Sequence, residues 1–218
     1  MRSIIRVASA AALSLMAFAC SAQDSTSKYV DGKHYKAVRE PQAPVDPKRV
    51  EVAEFFWYGC PHCYAFDPTI EAWGKKRAAD VDFVRYPATL GRPVGRMHAK
   101  AFYAAEALNV FDKMHPALFD LIQNKHNPLA TDDQIAQAFT TVAGVMPDIA
   151  KSTLTGFAVD SRTRKAEQLA MSYGVTGVPT IIVGGKYTTS AAMAGGFKEV
   201  TEVIDLLVEK VRKERAKR

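Results

Sequence analysis

The sequence is poor in cysteine, with Cys20, Cys60 and Cys63 the only three in 218 residues. That excludes a scaffold stapled by several spaced disulfides. It also has no apolar run long enough for a bilayer. Val7 to Ala19 is 13 residues, whereas a spanning helix needs about 20, and no later stretch comes closer. A clustered set of metal ligands is missing too. A zinc site built on Cys60 and Cys63 would need two of His34, His62, His98, His115 and His126, and none of these forms a close pair at helical spacing. Nor is there a basic patch. The formal charge is +6, but Arg2 and Arg6 contribute two of those charges, and the tail from Glu209 to Arg218, with six basic and two acidic residues, contributes four. The remaining body is neutral, which argues against nucleic acid as a partner. The cationic tail reads as a solvated helix end whose charges suit the helix dipole, in preference to a contact with anionic lipid.

A basic start, an apolar run and then the small residues Ala17-Phe18-Ala19 and Ser21-Ala22 read as a secretory signal peptide over residues 1–22. Cleavage after Ala22 would release a soluble protein. The alternative is cleavage after Ala19 and lipid attachment at Cys20, for which the bulky Phe18 is a poor match.

Beyond the polar segment from Ser21 to Gln42, with a short extended piece at His34 to Arg39, Val50 to Phe56 is β-branched and aromatic enough for a strand. A helix is predicted from Pro61 towards Arg77, and a second strand at Val81 to Tyr86. Met97 to Leu108, Val110 to Gln123, Asp132 to Ala143 and Asp148 to Tyr173 have helical periodicity. Strand character returns at Thr180 to Val183. Gly184-Gly185 then reads as a hairpin turn into Lys186-Tyr187-Thr188. A last amphipathic helix, Phe197 to Lys213, carries Val200, Val203, Ile204, Leu207 and Val211 on one face. The order predicts an α/β domain with an all-helical insertion, its first two strands parallel across the Pro61 helix.

Cys60-Pro61-His62-Cys63 lies where the first strand gives way to that helix. A thiol there faces unpaired backbone N–H groups and the positive end of the helix dipole, which favour the thiolate, the form that attacks disulfides. A second thiol one turn on can close a disulfide with it. As a mere staple the pair is poorly placed, since closing so short a loop contributes only about 2 kcal/mol. The arrangement points to redox catalysis.

Taken together, Asp31-Gly32-Lys33-His34-Tyr35, Val52-Ala53-Glu54-Phe55-Phe56, Cys60-Pro61-His62-Cys63-Tyr64 and Gly177-Val178-Pro179 ahead of Val183-Gly184-Gly185-Lys186-Tyr187 resemble the thioredoxin superfamily. More closely, they resemble the DsbA family of bacterial periplasmic disulfide oxidases. The resemblance runs from about Asp31 to the end. It implies a thioredoxin fold made of residues 36–92 and 174–218, interrupted by a helical insertion over 93–173. It implies Cys60 as nucleophile, Cys63 as its shielded partner, and Pro61 and His62 as tuning residues, His62 by its charge beside the thiolate. Val178 and Pro179 would form a cis peptide facing Cys60 and bind substrate backbone. Glu54 would be a buried acid exchanging a proton with Cys63, or else a carboxylate neutralised by a nearby cation. Arg85 stands where the family is expected to carry lysine, and arginine cannot give up its proton. The side chains of Trp57 and Tyr58 are expected to be partly exposed beside the site, offering apolar surface to unfolded chains.

The implied activity is donation of the Cys60–Cys63 disulfide to reduced, unfolded exported proteins in the periplasm, by a monomer recharged by a DsbB-type membrane oxidase linked to quinone. No metal or nucleotide cofactor is expected. A reductase or isomerase of the same fold, or a peptide-holding chaperone without turnover, are the alternatives.

Overall fold

The strand β2 (Val50–Phe56) is the centre of the molecule, buried on both faces except at Glu51, with Glu54 the one charged residue carried into the interior. It pairs in parallel with β3 (Val81–Pro87), and α1 (Pro61–Lys76) makes the crossover between them. On its other side it pairs antiparallel with β4 (Thr180–Val183). The sheet continues through β5 (Tyr187–Thr189) to the short β1 (Lys36–Ala37), so the strand order is β1-β5-β4-β2-β3. The computed structural model describes residues 28–217. The expected signal segment and the alternative processing sites at Ala22 and Cys20 therefore lie outside the described residues.

Alternation along β2 sends side chains to two layers. Val50 and Val52 pack with Phe66 and Ile70 of α1 and with Val200, Val203, Ile204, Leu207 and Val211 of α8 (Phe197–Ala216). Ala53 and Phe55 face the opposite layer, against Tyr173 and Ile182. Three residues, Gly184 to Lys186, connect β4 to β5; Gly184 and Gly185 both adopt left-handed backbone (φ 59° and 68°), and the Lys186 N–H closes the turn on the Val183 carbonyl at 3.1 Å. The basic end of α8 is stitched to the body. Arg212 pairs with Asp80, and Arg215 donates to the backbone oxygens of Pro47 and Arg49.

Between β3 and β4 lie α2 (Pro93–Ala107), α3 (Phe111–Gln123), α4 (Asp132–Ala143), α5 (Pro147–Leu154) and α6 (Phe157–Tyr173). The single helix expected over Asp148 to Tyr173 is two helices. Gly156 takes extended backbone (φ −68°, ψ 148°) and starts α6 afresh. The buried face shifts across the break, from Ala150 and Leu154 to Val159, Thr163 and Ala166. A one-turn helix, α7 (Ala191–Ala194), was also not anticipated. Among the described residues no helix is long and apolar enough to cross a membrane.

The helical block has its own core around Phe102, Met114, Leu118, Phe119 and Phe139. Phe56, Tyr58 and Cys63 reach into that core from the sheet side. The end of β2 and the first turn of α1 are thus roofed by the insertion.

Candidate active site

Cys60 is the residue at which β2's exit turns into α1. Its backbone is still extended (φ −98°, ψ 114°) and Pro61 opens the helix. Its N–H donates to the Trp57 carbonyl at 2.9 Å, and its own carbonyl accepts the Tyr64 N–H at 3.1 Å. The Sγ is half-buried and lies 3.5 Å from the Val178 carbonyl oxygen. The Val178–Pro179 peptide is cis. Residues more than a hundred positions apart are therefore brought together at the first turn of one helix. Both cysteines are thiols here, and Cys63 is fully buried one turn below.

The two sulfurs have opposite acidities. Cys60 is pulled down to about 6, chiefly because the Cys63 thiol donates to its thiolate. The backbone N–H groups of Cys63 and His62 and the charge of His62 add to this, against the opposing effect of burial. Cys63 is pushed far up, first by burial and then by that same hydrogen bond, which its ionisation would destroy. His62 is thus the lesser of the two neighbours that acidify Cys60. Its side chain is exposed and its charge contributes less than the neighbouring thiol does.

Glu54 sits within the same buried region, 2% exposed. The parallel register places it beside Arg85 and the antiparallel register beside Ile181. Arg85 Nε donates to Glu54 at 3.0 Å, while its Nη2 reaches Glu71 at 2.9 Å and Asp67 at 3.3 Å. One guanidinium thus serves three carboxylates, so with all three ionised two negative charges are left in excess. The deepest of the three carries the consequence. Burial, partly offset by Arg85, raises Glu54 to about 7. Asp67 and Glu71, nearer solvent, are held below their usual range despite burial, Asp67 first by its hydrogen bond to His115 and Glu71 first by its hydrogen bond to Arg85.

Two further features connect the site to the insertion. Tyr58, expected near the surface, is buried, and its hydroxyl meets His115 Nδ1 at 2.7 Å, while His115 Nε2 meets Asp67 at 3.1 Å. Trp57, half-buried, donates its indole N–H to His98 Nδ1 at 2.9 Å. The indole also lies against Gly59 so closely that a β-carbon there would fall 2.3 Å from a ring atom, which explains the glycine. Asp67, His98 and His115 carry no local pattern marking them, and in the sequence the two histidines suggest nothing beyond candidate zinc ligands.

Beside Cys60 runs an open groove of about 760 Å³. His62, Val178, Pro179, Thr176, Met193 and Phe197 are among its lining residues. The predicted residues Cys60, Cys63, His62, Pro61, Val178 and Pro179 thus come together at one end of the sheet, and Glu54 and Arg85 lie in the adjoining interior.

The sequence matches the DSBA-like thioredoxin domain family over residues 51–202. It is similar to the thiol:disulfide interchange protein DsbA of Pseudomonas aeruginosa, 42% identical over 212 residues that cover 97% of this chain and 98% of that protein. It is likewise similar to DsbA of Burkholderia cepacia, 39% identical, covering 92% of this chain and 94% of that one. The crystal structure of Pseudomonas aeruginosa DsbA superposes with a TM-score of 0.81 at 42% identity, covering 87% of this chain and 97% of that chain. The oxidoreductase DsbA of Xylella fastidiosa gives 0.77 at 33% identity, covering 85% and 98%.

Proposed function

The chain belongs to the DsbA-like thioredoxin family and is a protein thiol:disulfide oxidoreductase; from that premise we propose that it works as an oxidase, donating a Cys60–Cys63 disulfide to reduced exported proteins. A substrate thiolate lying in the groove attacks Cys60 Sγ, forming a mixed disulfide and expelling Cys63 as a buried thiolate. That thiolate binds a proton far more strongly than Glu54 does, so Glu54, poised at about 7, supplies it. Arg85, which keeps its own proton, holds the carboxylate that remains. A second substrate thiolate then attacks the substrate sulfur of the mixed disulfide. The new disulfide leaves with the substrate, and Cys60 departs as a thiolate.

Cys60 is a good leaving group because it is acidic, and the same acidity favours the dithiol form of the enzyme over its disulfide. The observation that carries the oxidase direction is therefore the acidified Cys60 beside a protonated Cys63. Val178 and Pro179 would align substrate backbone, with Pro61 and His62 shaping the first turn. The two cysteines are themselves the redox group, and the reaction calls on no metal or nucleotide. The proposal places the protein in the periplasm as a monomer, released by cleavage after Ala22, with a DsbB-type quinone-linked membrane oxidase withdrawing its electrons. Equilibration with glutathione buffers tests the direction. An oxidase requires a potential well above that of the glutathione pool, and a potential at or below it would leave the reductase reading.

A further inference from the structure

Two imidazoles from the insertion hold the turn that precedes Cys60, and they do so with the same polarity. The indole of Trp57 has only a donor, so His98 Nδ1 accepts from it, and His98 Nε2–H donates to the Pro128 carbonyl at 2.9 Å. His115 Nε2–H donates to the Asp67 carboxylate, leaving Nδ1 to accept the Tyr58 hydroxyl. In each ring Nε2–H is tied to a fixed acceptor and Nδ1 faces the turn. His98 belongs to α2 and His115 to α3, and both are buried. A third contact reinforces the pair: Gln123 of α3 donates to the Tyr58 carbonyl at 2.7 Å. The clamped residues are the ones that place the nucleophile. Trp57 supplies the carbonyl bonded to the Cys60 N–H, and its ring rests on Gly59.

We propose that His98 and His115 are positioning residues for Cys60. They clamp Trp57 and Tyr58 through Nδ1, and so keep the Cys60 sulfur within reach of the Cys63 thiol that stabilises it. The insertion then acts on the chemistry through hydrogen bonds to the turn, beyond covering the site. The proposal rests on Cys60 being the acidified nucleophile. If the histidines merely filled space, removing the donors they accept from would leave Cys60 unchanged.

The test is an ultraviolet thiolate titration of the reduced protein, with glutathione equilibration alongside. The variants are Tyr58→Phe, which removes only a hydroxyl, His98→Leu and His115→Leu, which keep bulk without an acceptor, and His98→Asn and His115→Asn, which keep an oxygen near Nδ1. Expected are a rise of roughly half a unit in the Cys60 midpoint and a less oxidising potential for Tyr58→Phe and the leucine variants. The asparagine variants should recover most of the effect, and Tyr58→Phe combined with His115→Leu should do no more than either alone. Should a leucine variant fail to fold, Tyr58→Phe decides the matter. Midpoints unchanged in Tyr58→Phe, or effects of Tyr58→Phe and His115→Leu that add, overturn the clamp while the nucleophile stands. An unsubstituted protein whose Cys60 titrates like a free thiol overturns both.

Discussion

Cys60 and Cys63 are three residues apart and share a helical turn, yet one sulfur is half exposed at the helix start and the other is sealed in the core of the insertion. The first is drawn down to about 6 and the second is driven up by burial. The contrast shows how one turn of helix, set at a boundary between solvent and core, can make two identical groups into an attacking and a protected member. It also shows that the two shifts are coupled. The hydrogen bond that lowers Cys60 adds to the burial that raises Cys63.

The comparison breaks most completely when either sulfur is replaced. Cys60→Ser should reduce oxidative refolding of a reduced substrate to background, because no exposed sulfur remains to be attacked. Cys63→Ser should instead accumulate a mixed disulfide in the presence of a substrate disulfide, visible as a mass increase under non-reducing conditions. A chaperone without turnover would keep its effect in both variants.

The buried half depends on Arg85. Arg85→Met leaves Glu54, Asp67 and Glu71 without their shared cation. Urea unfolding should show a loss of about 3–5 kcal/mol, and wild-type stability would show that the cluster is compensated elsewhere.

Glu54→Gln sharpens the contrast without removing a sulfur. Single-turnover oxidation should slow roughly a hundredfold near neutral pH, the lower end of what a positioned acid contributes. Its stability signature has a defined sign. Folded Glu54 keeps its proton to about 7 whereas the ordinary value is 4.5, so wild-type stability falls as pH rises across that window, and the Gln variant should not show the fall. Cys60 has the opposite sign. Its folded value lies below the ordinary 9.0, so the reduced protein should gain stability as pH rises from about 6 to 9, and the disulfide form should not. Parallel unfolding curves at several pH values check both.

A smaller effect is expected at Gly59. Gly59→Ala forces the Trp57 indole aside, at a cost of about 1–3 kcal/mol, and should change Trp57 fluorescence. An alanine variant as stable as wild type with an unmoved emission spectrum would contradict the tight contact.

Much of this was legible in the sequence, for reasons that differ by element. The Cys60–Cys63 turn is local, since a β-branched run, a proline at the first helical position and three-residue spacing are all visible in a short window. Gly184-Gly185 between two extended runs is equally local, and so is the apolar face of α8. Glu54 is recognisable as a carboxylate within an apolar strand, and the resemblance names Arg85 beside it, but the further sharing of Arg85 with Asp67 and Glu71 follows only from how α1 packs on the sheet. His98, His115 and Asp67 were beyond reach because their roles arise from α2 and α3 packing over the β2–α1 turn. The burial of Tyr58 escaped notice for the same reason, since nothing adjacent to it announces a roof. The break at Gly156 has a signal, Thr155-Gly156 within a helical stretch followed by a five-residue step between the buried Leu154 and Val159. The bond from Cys63 to Cys60 follows from their three-residue spacing on one helical turn, and it outweighs the charge of His62.

The most direct measurement is the absorbance titration of the Cys60 thiolate in the reduced protein, with the disulfide form as baseline. A midpoint near 6 with a single thiolate formed below pH 8 is the expected result. A midpoint near 9, or two thiolates appearing together, would contradict the division of labour between the two sulfurs.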